Sequence, residues 1–376
     1  MDIESKVGVF FVEQAALISD VYNPILIVFK PKTISRNNFN FFNFFKIDKK
    51  TTACNLSVLE ITYPSREFFG NKINNYFKTL TIRKLKNFLT KANISISFIH
   101  AQSIFDAGIW AYLYNSKFKT PYIITEHNQL SFINVTVKKG ILVKKCLENS
   151  VYNLVVSNDK IRQFIANNLY FDFINIGNLT NNKFYCLENS SKNPVSRLVT
   201  IGAFCPIKDH KTIFKALEIV DKQLSERIEF IWIGQNSWGK NQDKEVEKFL
   251  KNFQFKNITL ILEPILDREE IANYLQNSNL FIFSSLSEGM PVSVLEALAC
   301  GLPVFSSNCG GVDEIINQDN GRIYQIKDYQ KLSNLILNFF NNEYEFDKKL
   351  ISSRIIDKFG ETAFRNKLLS IYDSIN

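Results

Sequence analysis

Along the chain, short apolar runs of strand length alternate with longer segments of helical period. Repetition of that pair of signals leaves few architectures open, because each strand and each helix must bury one side against the other kind of element. The arrangement that satisfies both is a parallel sheet with helices on its faces, built from repeated βα units. Predicted strands in the first half are Ile25–Phe29, Ser57–Ile61, Ile96–Ile99, Tyr122–Thr125 and Leu154–Val156. In the second half they are Leu198–Ile201, Glu229–Ile233, Ile258–Leu262, Leu280–Phe283 and Val304–Ser306. Between the sets lies Leu187-Glu-Asn-Ser-Ser-Lys-Asn-Pro194, a polar stretch ending in proline that reads as a linker. A length of 376 residues, at about 150 per domain, also fits two domains. The expected fold class is α/β, with two similar domains facing each other.

Composition narrows the function classes. Hydrophobic residues at 45% and charged residues at 22% suit a globular protein with full-sized cores, and exclude disorder and collagen-like repeats. No apolar run approaches the roughly 18 residues of a membrane-spanning helix. The opening Met1-Asp2-Ile3-Glu4 is acidic where a signal peptide would be basic, so a cytoplasmic location is expected. Six scattered cysteines without a C-x-x-C pair, and without metal-ligand spacing to each other or to a histidine, argue against a disulfide framework or a zinc site. The 34 phenylalanines, with many Asn, Lys and Ile, are explained by AT-rich codons, which points to a bacterial source. The net charge of +8 is unevenly placed: residues 1–190 hold 23 Lys+Arg against 13 Asp+Glu, and residues 191–376 hold 22 against 24. An excess confined to one half favours an anionic partner, whether nucleic acid, an anionic membrane surface or a phosphorylated acceptor.

The chemistry concentrates in the second half. A loop that leaves the C-terminal end of a parallel strand and opens a helix is where open α/β sheets bind ligands, and the helix N-terminus offers N–H groups to an anion. Here that loop is Ser284-Ser-Leu-Ser-Glu-Gly-Met-Pro291. Pro291 is predicted at the first helical position and Gly301 at a left-handed cap, giving a helix over Pro291–Cys300. Upstream, Asp267 with Glu270 reads as the cap of another helix. Gly289 lets the backbone approach a phosphate, while Glu288 and Glu296 bring two carboxylates to one ligand. Carboxylates repel phosphate but accept hydrogen bonds from hydroxyls, so the pattern suits a ligand with hydroxyls on both sides of a diphosphate. On spacing alone the commoner outcome is a loop glutamate in water and a helix glutamate in a surface ion pair.

The run Glu288-Gly-Met-Pro-Val-Ser-Val-Leu-Glu296-Ala-Leu-Ala-Cys-Gly-Leu-Pro-Val304, continuing to Asn308-Cys-Gly-Gly-Val-Asp-Glu-Ile-Ile316, resembles the nucleotide-sugar signature of the retaining glycosyltransferases of family 4 (group 1). Further segments agree in order: Gly8–Ala15, Ile99–Gln102, Ile123–His127, Val155–Ser157, Ile201-Gly202 with Lys208-Asp209, and Phe359-Gly360 through Tyr372. The resemblance implies the GT-B fold, two Rossmann-like domains with parallel sheets facing across a cleft. It implies an acceptor domain over 1–186, a linker over 187–196, a donor domain over 197–355, and a last helix over 356–376 that returns to the first domain.

By the same resemblance, Glu296 would hold the donor ribose, Glu288 would contact hydroxyls of the transferred sugar, and the backbone of Gly289, Met290 and Pro291 would meet phosphate. Lys208, after the Gly202 turn, would neutralise the departing diphosphate, a charge that grows as the glycosidic bond breaks. His127 would approach the sugar from the first domain, and Gly310 and Gly311 would shape a second turn near it, with Glu314 fixing that helix. His100 and His210 read as structural hydrogen-bonding groups. No cofactor is implied beyond the nucleotide-diphosphate sugar. With no Asp-x-Asp motif, no required metal is implied either. The implied reaction is transfer of the sugar, with retention, to a hydroxyl of a glycan or lipid-linked acceptor in surface polysaccharide, lipopolysaccharide or glycolipid synthesis.

Three departures from the family pattern stand out. Ala203 follows Gly202 where a basic residue is usual; only Met1–Val7 precedes the segment where a first strand belongs; and Gly234-Gln-Asn-Ser replaces a Gly-x-Gly-Pro. Ala203 and the missing first strand suggest one alternative, a weakly active or inactive nucleotide-sugar-binding protein of the same fold; a nucleotide-sugar epimerase on that fold is another. Nucleic acid would account for the basic half but not for the paired glutamates. The stretch Phe68–Lys91 has Ile73, Tyr76, Phe77 and Leu80 at helical spacing among lysines, which fits a helix packed on the sheet with a solvated basic face, or a peripheral contact with anionic membrane at its inner, cytoplasmic face. Asn37–Phe45 reads as a hydrophobic loop beside a lipid-linked acceptor or as an insertion.

Overall fold

The computed structural model describes residues 9–33, 45–65, 71–127, 137–187, 195–235 and 242–375. Most of the Asn37–Phe45 tract and most of the polar linker lie outside the described residues, as do Met1–Val7. The chain divides into two compact units: Met1–Val155, Phe164–Ile174 and Lys367–Asn376 form one, Val156–Gln163 and Asn175–Asn366 the other.

The first unit runs α1 (Val9–Ala16), β1 (Ile25–Thr33), β2 (Lys46–Thr51), β3 (Ser57–Ser65), α2 (Asn71–Lys91), β4 (Ile99–Gln102), α3 (Ile109–Phe118), β5 (Tyr122–Glu126), α4 (Val137–Glu148) and β6 (Asn153–Val155). It continues into α5 (Asn158–Ala166) and β7 (Phe173–Asn175), both of which straddle the division. Its strands form two sheets, of order β1-β3-β2 and β4-β5-β6-β7. β1 pairs in parallel with β3, and β4 with β5 with β6, as the βα pattern predicts. β2, which the pattern does not predict, pairs antiparallel with β3. Its sequence Lys-Ile-Asp-Lys-Lys-Thr has no apolar run, and one isoleucine among charges carries no strand signal.

The predicted stripe on α2 is corrected in its rotation. Phe77, Ile82, Leu85 and Leu89 are buried, but Tyr76 is 59% exposed. Nor are its lysines simply solvated: Lys78, Lys84 and Lys86 lie 5.5, 4.1 and 5.9 Å from the rings of Trp110, Phe45 and Phe118, their stems covering aromatic surface.

The second unit contains β8 (Ser196–Ile201), α6 (His210–Gln223), β9 (Ile228–Ile233), α7 (Gln242–Leu250), β10 (Ile258–Glu263), α8 (Arg268–Gln276), β11 (Leu280–Phe283) and α9 (Val292–Ala299). β12 (Val304–Ser307), β13 (Gly321–Tyr324), α10 (Tyr329–Phe340) and α11 (Lys348–Phe359) follow, and α12 (Glu361–Asp373) begins in this unit and ends in the first. Its six strands are all parallel, in the order β10-β9-β8-β11-β12-β13. Alternate residues of each strand feed different cores. Ile231, Ile233, Phe281 and Phe283 pack with α8, α9 and α11, while Phe230, Trp232, Leu280 and Ile282 pack with α6, α7 and α10. Both faces are covered, which is why these strands read as unbroken apolar runs. β13, missed by the sequence reading, is short and interrupted by a glycine and an arginine.

That strand order has a consequence for ligands. The chain moves outward through β8, β9 and β10, then returns to add β11 on the other side of β8. The loops leaving β8 and β11 therefore diverge to opposite faces and open a crevice at the C-terminal edge of the sheet, the point where such sheets take ligands.

Candidate functional site

Two loops meet at that crevice. β8 leads into Gly202, whose N–H donates to the Ile233 carbonyl (3.0 Å) and whose own carbonyl accepts the Trp232 indole N–H (2.8 Å). A short 3-10 turn, Pro206–Lys208, follows, and Asp209 takes a left-handed conformation (φ 41°) that turns the chain into α6. Lys208 is thereby aimed at the second loop. Its Nζ lies 2.7 Å from Glu288 Oε1 and 5.3 Å from the centroid of the Phe283 ring.

Serines stitch the loops together. Ser284 Oγ donates to the Asp209 carbonyl (3.0 Å) and Ser285 Oγ to the Ile207 carbonyl (2.9 Å), while Leu286 N–H donates to the same Ile207 carbonyl (2.7 Å). Ser307, at the end of β12, accepts from Ser285 N–H (2.9 Å) and donates to its carbonyl (2.8 Å). Sequence reasoning missed this scaffold, because isolated serines carry no periodic signal.

The loop backbone is pressed from behind by the glycine pair. Gly310 has φ 61°, and a Cβ there would fall 2.2 Å from the Glu288 carbonyl oxygen; one on Gly311 would fall 2.5 Å from Ser157 Cβ. Gly311 N–H and Ser157 Oγ both donate to the Gly289 carbonyl (2.9 and 3.0 Å), and Asn178 Nδ2 donates to the Met290 carbonyl (2.8 Å). With these carbonyls held, the N–H side of the turn faces the other way. Pro291 is the N-cap of α9 and not its first helical residue: its ψ of 116° is extended. The first helical N–H to find a partner is that of Val294, on the Pro291 carbonyl (3.2 Å), so Val292 and Ser293 are among the donors that a helix leaves for an outside acceptor. Gly301, at φ 75°, ends the helix as predicted.

Glu296, about a turn and a half into α9, is 4% exposed, and its Oε1 is bonded by the guanidinium of Arg268. The ion pair that spacing alone favoured is present, but it is buried and not at the surface. Arg268 is the first residue of α8, held by the predicted cap in full: Asp267 Oδ1 accepts from Glu269 and Glu270 N–H (3.0 and 2.9 Å), and Glu270 Oε2 accepts from Asp267 N–H (2.8 Å). Sequence reasoning did not single out Arg268. Glu314 holds a different helix from the one expected: its Oε1 accepts from Asn158 N–H (2.7 Å), the start of α5, and its Oε2 from Asn175 Nδ2 (3.0 Å).

His127 belongs to the first unit, at the end of β5. Its Nε2 and Gln102 Oε1, at the end of neighbouring β4, are 2.7 Å apart, and the rings of Phe10 and Phe11 stand edge-on at 5.5 and 5.1 Å. Two segments quoted separately from the sequence thus share one hydrogen bond. His100 bonds Tyr372 and Thr125 hydroxyls (2.6 and 2.7 Å). His210 is 4% exposed and lies 3.0 Å through Nε2 from the Ala203 carbonyl. Burial pushes its imidazole down to about 4, with the Lys208 charge acting in the same direction and the Ala203 bond against it. Both act structurally, as expected. Among the described residues no group of three or more His, Cys, Asp or Glu is placed to hold a metal ion, and no helix is long and apolar enough to cross a membrane.

Residues 188–354 match the family model of glycosyl transferases group 1. The chain is 26% identical over 69% of its length, and 69% of the relative's, to an uncharacterized glycosyltransferase of Methanocaldococcus jannaschii. It is 34% identical, over 24% of its length and 28% of the relative's, to the N,N'-diacetylbacillosaminyl-diphospho-undecaprenol alpha-1,3-N-acetylgalactosaminyltransferase of Campylobacter jejuni. The fold is similar to that of HepE from Anabaena, solved in complex with UDP, with TM-score 0.73 over 98% of this chain and 97% of that one at 13% identity. The chain carries the GT-B fold, and its residues 188–354 are similar to the glycosyl transferases of group 1.

Proposed function

We propose that the protein is a retaining glycosyltransferase that moves a sugar from a nucleotide-diphosphate donor to a hydroxyl of a glycan or lipid-linked acceptor. The observation that carries this reading is the Lys208–Glu288 pair (2.7 Å) at the sheet's switch point, beside the N-terminus of the helix that bears Glu296. A cation, a run of helix N–H groups and two carboxylates are what a diphosphate flanked by two hydroxyl-bearing sugars requires. The donor exchanges partners on binding: Lys208 leaves Glu288 for the diphosphate, and Glu288 turns to hydroxyls of the transferred sugar. The backbone of Gly289, Met290 and Pro291 and the N–H groups of Val292 and Ser293 meet phosphate, Glu296 takes the ribose, and Gly310 and Gly311 keep the Glu288 backbone in place. As the glycosidic bond breaks, negative charge grows on the leaving phosphate, so Lys208 stabilises the transition state more than the bound donor. The leaving phosphate accepts the proton of the incoming hydroxyl on the same face, which gives retention without a protein nucleophile. His127 is assigned to the transferred sugar by the family resemblance alone.

An undecaprenol-linked acceptor in the name of the Campylobacter jejuni relative supports a lipid-linked acceptor here, and with it a place in polysaccharide or glycolipid synthesis. The basic first half supports a peripheral contact with anionic membrane. Because the match covers 28% of that relative, the acceptor is part of the proposal.

The test is thermal unfolding against UDP-, GDP-, ADP- and dTDP-sugars for the wild type and Glu296→Ala, each read against its own ligand-free baseline. A donor at a hundred times its Kd adds about 2.7 kcal/mol. One donor is expected to stabilise the wild type and to lose most of that effect in the variant. No shift in the wild type with any donor would sink the reading, and an inverted anomeric configuration in the product would sink retention.

A further inference from the structure

The geometry points to Arg268 as a positioning residue for the nucleotide: it fixes the plane of the Glu296 carboxylate, and so gives the site its preference for ribose over deoxyribose. This rests on the proposed role of Glu296 at the ribose.

The placement of Arg268 is unfavourable for its own helix. It is the first residue of α8, where backbone N–H groups make the helix end positive and a cation is disfavoured. Its neighbours Glu269 and Glu270 follow the usual preference for acidic residues in the first turn, so the arginine stands out against its surroundings. Its side chain is 21% exposed and that of Glu296 5%, so the pair is largely withdrawn from water. Two helices distant in sequence thus present opposite charges to each other at the proposed ribose-binding carboxylate.

The arginine is also held from several sides. The capping box at Asp267 fixes its backbone, the Phe184 ring lies 5.5 Å from its guanidinium carbon, and the adjacent Glu269 is tied to Lys183 (2.6 Å). A planar guanidinium held in this way imposes an orientation on the carboxylate it bonds, which a lysine ammonium would not. Orientation matters for this ligand. Adjacent ribose hydroxyls present two donors at fixed spacing, and a carboxylate receives both only when its plane is turned to them. A glutamate side chain free to rotate would lose part of that selectivity to conformational entropy.

The experiment is calorimetric binding of UDP, GDP and ADP, each beside its 2′-deoxy counterpart, to the wild type, Arg268→Gln, Arg268→Lys and Glu296→Gln. The wild type is expected to prefer one ribonucleotide over its deoxy form by about tenfold to a hundredfold, the worth of one hydrogen bond to a charged group. That ratio should fall towards unity in Glu296→Gln and in Arg268→Gln, with Arg268→Lys between. A general loss of stability would weaken both nucleotides together and leave the ratio unchanged, so the ratio separates positioning from a merely structural role. If Arg268→Gln does not fold, the ratio in Arg268→Lys decides. Arg268 variants that keep the wild-type ratio while Glu296→Gln loses it would overturn the inference. So would tighter ribonucleotide binding in Arg268→Gln, which would make the arginine a blocker of the carboxylate. A wild-type ratio in Glu296→Gln, or a wild type that binds none of the nucleotides, would overturn the proposed ribose role itself and the inference with it.

Discussion

Glu288 and Glu296 stand with seven residues between them around the start of one helix, and each is bonded to a cation brought from elsewhere in the second unit. The two pairs differ in their access to water. Side chains of Lys208 and Glu288 are 26% and 18% exposed, whereas Glu296 is 5% exposed against Arg268 at 21%. The Lys208–Glu288 pair is half-buried and the wetter of the two, and the more water competes for both charges, the less a pair is worth and the more readily it exchanges. A buried pair is costly to break, since the survivor is left without compensation. On the proposed function, the first carboxylate changes partners when the donor arrives and the second stays paired with its arginine.

The largest effect should come from the element that holds the exchangeable glutamate, and not from either ion pair. Gly310→Ala would drive a Cβ into the Glu288 carbonyl, at 2.2 Å, from a left-handed backbone. Clash and strain together should cost about 4 kcal/mol in a urea titration. A cost below about 1 kcal/mol would mean that the turn yields, and that the position of Glu288 is not built into the fold. Next in size is Arg268→Ala, which strands the buried Glu296 carboxylate and should cost about 3 kcal/mol by the same measurement, the low end for a buried pair because the arginine is partly wet. If it costs no more than Lys208→Ala, the distinction between fixed and exchangeable pairs collapses.

How far each pair could be read from the sequence follows the same physics. The glutamates were legible, because their spacing lies within a single loop and helix and because glycines and a proline mark the boundaries. So were five of the six strands of the second unit's sheet, whose two covered faces leave unbroken apolar runs; β13, cut by a glycine and an arginine, was not. Arg268 was not, since its partner lies 28 residues further on and no periodicity links them. One local sign was present: an arginine directly after a helix cap, where the dipole disfavours it. β2 escaped because an antiparallel edge strand of lysines, aspartate and threonine has no hydrophobic pattern to detect. Ser284, Ser285 and Ser307 escaped because a serine's role is set by which carbonyl it meets in three dimensions. Pro291 was misplaced by one position, since proline suits both the cap and the first turn.

His210 sharpens the comparison from the side of the missing charge. Ala203 stands where the family pattern has a base, and the imidazole of His210 is bonded to the Ala203 carbonyl. Held down to about 4, chiefly by burial, it is neutral at physiological pH and adds no second cation beside Lys208. The sign of its effect on stability follows. The unfolded chain protonates near 6.5 and the folded one near 4, so the unfolded state binds more protons in between. Stability from this group is complete above about pH 6.5 and falls by about 1.4 kcal/mol per unit below it, or about 2 kcal/mol by pH 5. His210→Gln keeps a donor for Ala203 and should remove that part of the slope. An unchanged slope would mean that the folded ring titrates as in the unfolded chain, so that the turn gains a second positive charge below about pH 6.5.

The smallest structural effect should be the most informative. Lys208→Ala removes one partner of the wetter, half-buried pair, and Glu288 keeps some access to water, so the unliganded protein should lose about 1 kcal/mol, well short of Arg268→Ala. Turnover should fall far more, because the charge that Lys208 meets is largest as the glycosidic bond breaks. If so, kcat falls by a factor of about a hundred or more, while the Kd for the donor rises by less. Kd and kcat losing equal ground would make Lys208 a uniform binder of phosphate. A stability loss as large as that of Arg268→Ala would make its bond to Glu288 part of the scaffold. Only a small loss of stability with a large loss of turnover fits a lysine that leaves its glutamate when the donor arrives.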